Sequence, residues 1–187
     1  MKKIPTLFVR DSEDLSRVTR EVHRDCDWVI GGEGIATRKY DGTCVMYDGA
    51  RWWARREVKP GKATPPNYVP LSTDEATGKT VGWEPAEYSA FAKFLDEAIA
   101  SAADEHTWDP GTYELCGPKI NRNPEGYTRH ILRSHAKAEK LIAPRDPDGL
   151  AAWMAETDFE GIVWHHPDGR MAKLKRKDFP SAANGNV

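Results

Sequence analysis

The sequence predicts an α+β fold in which short antiparallel strands form two sheets and a few helices flank them. Three observations support this prediction. Short β-type runs recur between turn-forming residues, an Asp48-Gly49 dipeptide separates two of these runs, and one longer stretch has its apolar residues at helical spacing. Of the 187 residues, 39% are hydrophobic, which is enough for one core. We therefore expect a single domain over residues 1–187.

The N-terminal half is predicted to consist mainly of strands. Asp48-Gly49 is the strongest hairpin signal in the chain, because both residues tolerate the positive φ angles of a tight turn. Three glycines between residues 31 and 34 predict another turn, and four prolines between residues 60 and 70 predict a surface loop. The predicted strands are Thr6–Val9, Trp28–Ile30, Gly34–Lys39 with Lys39 at its end, Thr43–Tyr47 and Arg51–Arg56.

Two helices and three further strands are predicted in the C-terminal half. Glu84–Ala103 has aromatic and aliphatic residues three and four positions apart, and Asp148–Glu156 is a shorter helix. Residues 1–34 would then supply N-terminal strands, 35–179 the functional motifs, and 180–187 a frayed tail. The predicted strands are Thr112–Cys116, Glu160–His165 and Met171–Lys175, the last two joined across Pro167-Asp168-Gly169.

Charge and cysteine content restrict the possible partners and the compartment. The chain has 27 basic and 29 acidic residues, so any nucleic-acid surface has to be a local patch. The N-terminus lacks the apolar run of a signal peptide or membrane anchor. Three scattered cysteines fit a reducing compartment rather than a disulfide framework. We expect a cytoplasmic protein without a membrane partner, and a monomer.

Lys39-Tyr40-Asp41-Gly42 is the most informative stretch of the chain. A lysine can attack a phosphorus atom only as a neutral amine, so its pKa must be lowered by neighbouring cations or a metal. Arg38 and two lysines further along the chain could supply such cations if they converge on Lys39. Alone, the stretch would be read as a surface lysine before a β-turn, but three downstream motifs follow it in order.

Those downstream motifs contribute two carboxylates and two lysines. Glu114 alternates with apolar neighbours on a predicted strand, and Glu160 stands at the mouth of an apolar strand, where a charge is costly unless it is paired. Lys173 and Lys175 share one strand face and would repel each other unless an anion such as a triphosphate lies between them. The alternatives are a solvent-facing glutamate and a solvated basic edge strand.

A basic and aromatic strip is a candidate nucleic-acid surface. Residues 51–56 interleave arginines with tryptophans, which suits phosphates and stacked bases, although an ordinary packed hairpin explains the pattern equally well. A polar loop and a basic run near residues 121–135 add weaker signals. The candidate contacts are Arg51, Arg55, Lys59, Lys62, Asn121, Arg122, Asn123, Arg129 and Arg133.

Together, four segments resemble the compact ATP-dependent RNA ligases of the covalent nucleotidyltransferase superfamily. This group has a K-x-D-G-T-C nucleophile motif and includes a eukaryotic 5′-to-3′ RNA ligase family with relatives in microbes and viruses. The resemblance extends over Ile35 to Phe179, most of the chain. The segments that carry it are ATRKYDGTCVMYDG, WWARREVKPGK, YELCGPKINRNPEGY and EGIVWHHPDGRMAKLKRKDF.

The resemblance implies a role for each motif residue. Lys39 corresponds to the nucleophile that accepts AMP, and the arginine that follows the first motif corresponds to Arg56 or, alternatively, Arg55. The chain departs from the family at two places. Many ligases carry Arg or Asn where this chain has Thr43-Cys44. Some RNA ligases have Glu immediately before the nucleophile, where it contacts the adenine amino group, and this chain has Arg38 there. The implied nucleotide-binding residues are Lys39, Asp41, Gly42, Arg56, Glu114, Glu160, Lys173 and Lys175, with Glu160 and Glu114 also implied as metal ligands.

The implied activity is ATP-dependent joining of 5′-phosphate and 3′-hydroxyl RNA ends through lysyl-AMP and RNA-adenylate intermediates. ATP and Mg²⁺, with Mn²⁺ as a substitute, are the expected cofactors, and the implied fold encloses a nucleotide groove between its two sheets. The alternatives are a DNA nick-sealing core and a capping-type guanylyltransferase. Both usually carry an OB-type domain after the last motif, where only about a dozen residues remain here. A non-catalytic nucleic-acid binding module is disfavoured, because all the expected ionisable groups are present.

Overall fold

The computed structural model describes residues 3–75, 77–102 and 108–179, and within them the chain is α+β and rich in sheet, as predicted. The strands are β1 Phe8–Arg10, β2 Val18–Val22, β3 Ile35–Lys39, β4 Thr43–Tyr47, β5 Trp52–Val58, β6 Val69–Thr73, β7 Thr80–Pro85, β8 Gly111–Cys116, β9 Ile131–Ser134, β10 Gly161–His165 and β11 Met171–Lys175. The helices are α1 Asp27–Ile30, α2 Ala92–Ala100 and α3 Pro147–Glu156, with 3-10 turns at Ala86–Tyr88 and Arg176–Asp178.

The chain divides into two compact units. Unit 1 contains Tyr40–Ala138 together with Lys3, and unit 2 contains Ile4–Lys39 and the chain from Glu139 onward. The polypeptide therefore leaves unit 2 directly after Lys39, inside the most informative motif of the sequence. Within the described residues, no helix reaches the length and apolar character needed to cross a bilayer.

Unit 2 is built on a three-stranded antiparallel sheet in which β10 lies between β3 and β11, and β1 and β2 form a separate hairpin. Alternation along the strands buries Ile162, Trp164 and Leu174 on one face. They pack with α3 residues such as Leu150 and Met154. Burial of each such side chain stabilises the unit by about 2 kcal/mol. The opposite face is left to the lysines of β3 and β11.

Unit 1 contains a six-stranded antiparallel sheet in the order β6-β7-β5-β4-β8-β9. One face packs against helix α2, and Val45 and Leu115 of the sheet meet Leu95 and Ala98 of the helix in its core. The predicted hairpin around Asp48 is confirmed, because β4 pairs with β5 and the Asp48 carboxylate accepts backbone hydrogen bonds across the turn. The turn is therefore locally encoded.

Two predicted elements differ from the structure. Trp28–Ile30 is part of helix α1 rather than a strand, and adjacent Trp28 and Val29 are both buried, which a strand with one buried face does not allow. The helix predicted over Glu84–Ala103 begins only at Ala92. Its first part is the end of β7 and a 3-10 turn, because Pro85 disfavours the helical conformation of the residue before it.

Four strands have no counterpart among the predicted ones: β2, β6, β7 and β9. β6 is polar and contains a proline, and β9 falls in a run that the sequence suggested for RNA contacts. The pairing of β6 with β7 and of β9 with β8 holds these segments extended despite weak local patterns. The predicted end of the long helix at Ala103 and the tail Ser181–Val187 lie outside the described residues.

Candidate functional site

Strand register in unit 2 places two of the predicted lysines on either side of a glycine. Gly161 of β10 is the Cα partner of Lys39 on β3 and of Lys175 on β11. Residues in one such row point to the same face of a sheet. Because Gly161 has no side chain, the space between Lys39 and Lys175 is open to the side chain of Glu160, the residue before Gly161.

Glu160 occupies that space and joins the two lysines. Its Oε2 accepts a short hydrogen bond from Lys39 Nζ, and its Oε1 accepts one from Lys175 Nζ at 2.5 Å. The Glu160 side chain is 11% exposed, and those of Lys39 and Lys175 are 21% and 22% exposed. The structure thus brings three of the predicted site residues together, and the cluster formally carries one excess positive charge.

Electrostatics keeps the Glu160 carboxylate ionised. Burial alone would raise its pKa, but the charges and hydrogen bonds of Lys39 and Lys175 together outweigh burial and hold the pKa of Glu160 below its ordinary value. Glu160 therefore stays negative at neutral pH, where it can orient an ammonium group or take a hard cation.

Lys173 lies on the same sheet face, one row further along β11. Its Cα pairs with Val163, whose other partner is Thr37. The backbone of Lys173 is fixed from the outer edge, since its N–H donates to Pro5 O at 3.0 Å and its carbonyl accepts from Leu7 N at 2.8 Å. The structure therefore supports the prediction that Lys173 and Lys175 share a face while Leu174 packs behind them.

Arg38 does not join the lysine cluster. It alternates with Lys39 along β3, and its guanidinium lies 3.7 Å from the Glu139 carboxylate and 5.2 Å from the Phe159 ring centroid. The register therefore places Lys175 of β11, and not Arg38, on the sheet face of Lys39. Sequence spacing alone left this choice open.

Gly161→Ala is expected to damage unit 2 strongly. A Cβ at this position would lie 2.1 Å from the Leu174 carbonyl oxygen, a backbone atom that cannot rotate away. We expect the free energy of unfolding to fall by about 2–3 kcal/mol, as for overpacked sites, measured by urea denaturation. Gly31→Ala is the control, since its Cβ would make only ordinary contacts of 3.5 Å. Equal stability of the two variants would contradict the close packing.

The residues that follow Lys39 form a second arrangement, within unit 1. The Asp41 N–H donates to Glu125 Oε1 at 2.9 Å, and Asn121 Nδ2 donates to Asp41 Oδ1 and to the Gly42 carbonyl at 2.9 and 2.7 Å. Gly42 is needed because a Cβ there would lie 2.3 Å from the Leu115 carbonyl oxygen. Within unit 1, Gly42 is thus required by close packing, and Asp41 is held in place by hydrogen bonds.

Asn121, Arg122 and Asn123 hold this arrangement in an unusual backbone conformation. All three have positive φ angles, 47°, 66° and 59° respectively, a region that non-glycine residues rarely adopt. Asn123 Nδ2 donates to Tyr127 O at 3.0 Å, while its Oδ1 is buried without a hydrogen-bond partner among the described residues. The predicted RNA contacts of the two asparagines stay predictions, since their amides bond to protein here.

Glu114, the other predicted carboxylate, lies in unit 1 and is 8% exposed. Its Oε2 is 3.0 Å from His135 Nε2, and its strand partner is Cys44. Tyr113 and Leu115 face the core, as the alternation predicted. Sequence reasoning identified Glu114 and missed His135, because the pairing of β8 with β9 was not visible in the sequence.

The two candidate arginines, Arg55 and Arg56, lie on opposite faces of the six-stranded sheet. Register places Arg55 on the face that carries Cys44 and Glu114, and Arg56 on the opposite face with Glu84. Burial raises the pKa of Glu84, and the nearby Arg56 charge only partly offsets this. Arg55 therefore shares a sheet face with Glu114, whereas Arg56 does not, and the predicted nucleotide contact of either arginine stays a prediction.

The remaining candidate nucleic-acid residues are exposed in unit 1. Arg133 is held by Tyr127, since its guanidinium lies 5.1 Å from the Tyr127 ring centroid and its Nε donates to the Tyr127 hydroxyl at 3.0 Å. Arg51 lies 5.7 Å from the ring centroid of Trp53, whereas Trp52 packs against the core. In this hairpin Trp52 thus packs against the core, whereas Arg51 is exposed. The other exposed basic residues are Lys59, Lys62, Arg122 and Arg129.

The chain is distantly similar to an RNA ligase. RNA ligase 1 of Rattus norvegicus is 28% identical over 157 residues, which cover 67% of this chain and 46% of the rat protein. The chain thus spans less than half the length of the curated relative that it matches. No family model matches the chain. The similarity supports a general relationship to RNA ligases.

Proposed function

We propose that this protein is an ATP-dependent RNA ligase in which Lys39 accepts AMP. The observation that carries the proposal is the Lys39–Glu160–Lys175 cluster, a partly buried lysine held by a carboxylate that a second lysine also binds. Distant similarity to RNA ligase 1 supports the general assignment to RNA ligases.

In the first step the Lys39 amine attacks the α-phosphorus of ATP. A nitrogen–phosphorus bond forms, the bond from the α-phosphorus to the bridging oxygen breaks, and pyrophosphate leaves. Lys39 must first release a proton to solvent, and the Glu160 carboxylate stays paired after this loss because Lys175 remains bound to its other oxygen. Lys173 and Lys175, on the same sheet face, would neutralise charge on the transferring phosphate.

Glu160 would hold a divalent cation in this proposal by exchanging one of its two lysine ammonium partners for the ion. Mg²⁺ is commonly held by one or two carboxylates together with substrate phosphates, and Glu160 is an ionised, mostly buried carboxylate. Mg²⁺ or Mn²⁺ bound there would neutralise phosphate charge. The donor set around Glu114 is different, since a thiol and an imidazole are its nearest candidate ligands.

Two further steps complete ligation in this proposal. An oxygen of an RNA 5′-phosphate attacks the AMP phosphorus, the nitrogen–phosphorus bond breaks, and Lys39 recovers its proton. The 3′-hydroxyl of the second end then attacks the activated 5′-phosphorus, and AMP leaves. Exposed Arg133 and partly buried Tyr127 would offer a cation and an aromatic ring to unpaired RNA.

Matched RNA and DNA strands test the choice of substrate. We expect 5′-phosphate and 3′-hydroxyl RNA ends to be sealed at least about tenfold faster than all-DNA ends of the same sequence, at fixed salt because phosphate contacts depend on ionic strength. The assay follows single-stranded and nicked substrates on denaturing gels. Arg133→Ala should slow RNA sealing, with Lys79→Ala, a partly exposed lysine of the same unit, as the control.

Three results would redirect the proposal. Efficient closure of nicked all-DNA duplex, with RNA no better, would indicate a DNA nick-sealing core. Covalent labelling by GTP rather than ATP would indicate a capping-type guanylyltransferase. Binding of RNA without covalent labelling by either nucleotide would indicate a non-catalytic binding module.

A further inference from the structure

Unit 1 contains a cluster of three potential metal ligands on the sheet face opposite helix α2. Cys44 of β4 and Glu114 of β8 are direct strand partners, and His135 follows β9. One ligand atom from each residue lies within 4.8 Å of the other two. Three elements far apart in the sequence thus bring a sulfur, an oxygen and a nitrogen to one place.

The imidazole of His135 is held in an orientation that suits metal binding. Its Nδ1 lies 2.9 Å from Thr112 Oγ1, and its Nε2 lies 3.0 Å from Glu114 Oε2. A ligating histidine is usually fixed in this way, because a hydrogen bond from one ring nitrogen sets the tautomer and leaves the other nitrogen to the metal. Thr112 is therefore the expected positioning residue.

The chemistry of the donors points to a particular class of ion. Thiolate and imidazole ligands favour zinc and similar transition metals, whereas Mg²⁺ prefers oxygen ligands throughout. Three protein ligands with a further position left to water or substrate is the pattern of open zinc sites. Glu114 is nearly buried, while Cys44 and His135 are partly exposed, so an ion could reach the cluster from the solvent side.

We propose that Cys44 Sγ, a Glu114 carboxylate oxygen and His135 Nε2 bind one Zn²⁺ ion per chain. Binding displaces the proton of the Cys44 thiol to solvent and replaces the hydrogen bond between His135 and Glu114 with two metal bonds. The site lies wholly within unit 1 and does not rest on the proposed ligase activity. Without metal, the same residues form an ordinary hydrogen-bonded pair beside a cysteine.

Cobalt is the spectroscopic probe for this site. The full chain, stripped of metal with a chelator, is titrated with Co²⁺ in the absence of ATP and RNA, and a thiolate-to-cobalt charge-transfer band reports sulfur ligation. We expect one equivalent to saturate the band and Zn²⁺ to displace Co²⁺, in keeping with the greater affinity of Zn²⁺ for such sites. Cys44→Ala should remove the band, and His135→Ala should weaken binding by about tenfold or more.

The controls separate this site from other sulfur atoms and from misfolding. Cys116→Ala, which changes a fully buried cysteine two residues from Glu114, should keep the band. Thr112→Val should weaken binding by roughly tenfold if it positions the imidazole. In the wild-type chain, Zn²⁺ should slow alkylation of Cys44 by at least about tenfold, as measured by peptide mapping without any substitution.

A wild-type chain that shows no charge-transfer band, or a band that survives in Cys44→Ala, overturns the proposal. So does an alkylation rate at Cys44 that Zn²⁺ leaves unchanged. Because none of these measurements uses ATP or RNA, an inactive ligase would leave the metal result intact, and a missing metal would leave the ligase result intact.

Discussion

Replacement of Lys39 by alanine or arginine is expected to abolish covalent transfer of AMP from ATP to the protein. Alanine removes the amine altogether. Arginine can keep the ion pair with Glu160, but a guanidinium does not become a neutral nucleophile at any ordinary pH. The measurement is incubation with α-labelled ATP and Mg²⁺, followed by denaturing electrophoresis. Circular dichroism should show that both variants remain folded.

Lys140→Arg is the matched control for the Lys39 variants. Lys140 is an exposed lysine whose backbone bridges to Thr37, two residues before Lys39. It shares the neighbourhood of the nucleophile without belonging to the cluster, and its replacement should leave labelling unchanged. Labelling that survives in Lys39→Ala would show that another residue accepts the nucleotide.

The second large effect is expected from Glu160→Gln, which should remove both activity and stability. The variant leaves Lys39 and Lys175 close together without the shared carboxylate. Removing one partner of a mostly buried ion pair should lower the free energy of unfolding by about 3 kcal/mol. Covalent labelling should fall by about a hundredfold or more, since the amine loses its orienting group.

The pH dependence of this effect has a definite sign. The pKa of Glu160 in the folded chain lies below the ordinary value of 4.5, so its stabilising contribution is present above that value. The contribution is lost as the pH falls through the lowered pKa. The stability difference between wild type and Glu160→Gln, measured by urea denaturation, should therefore be constant near neutral pH and shrink in acid.

A double variant separates the structural role of Glu160 from its chemical role. Lys175→Met in the Glu160→Gln background removes one of the two repelling ammonium groups and should recover part of the lost stability. Labelling should stay low, because neither the carboxylate nor the phosphate-binding lysine is restored. Recovery of labelling together with stability would mean that the cluster serves only the fold.

Local sequence signals predicted those parts of the fold that short-range physics determines. The hairpin around Asp48, the strand pair that ends at Lys175 and the short helix α3 all have strong signals within a few residues. Helix α1 was missed because a three-residue apolar run has no readable period. Strand β6 was missed because its extended form depends on pairing with β7.

The candidate site likewise has features that local sequence predicts and features that depend on the pairing of distant strands. Alternation along β11 predicted that Lys173 and Lys175 share a face, and the cost of an unpaired charge singled out Glu160. Bringing Lys39 beside them depends on the register of three strands from distant parts of the chain. The partnership of Glu114 with His135 needs the equally distant pairing of β8 with β9. Such registers are set by tertiary packing rather than by local sequence.

The most direct test of Lys39 as the AMP acceptor is to locate the nucleotide on the wild-type protein. The full chain is incubated separately with ATP and with GTP in Mg²⁺, digested under conditions that preserve the acid-labile nitrogen–phosphorus bond, and mapped by mass spectrometry. We expect one adenylyl group on Lys39 with ATP and no guanylyl group with GTP. An unmodified chain, or a nucleotide attached to any residue other than Lys39, would contradict this assignment.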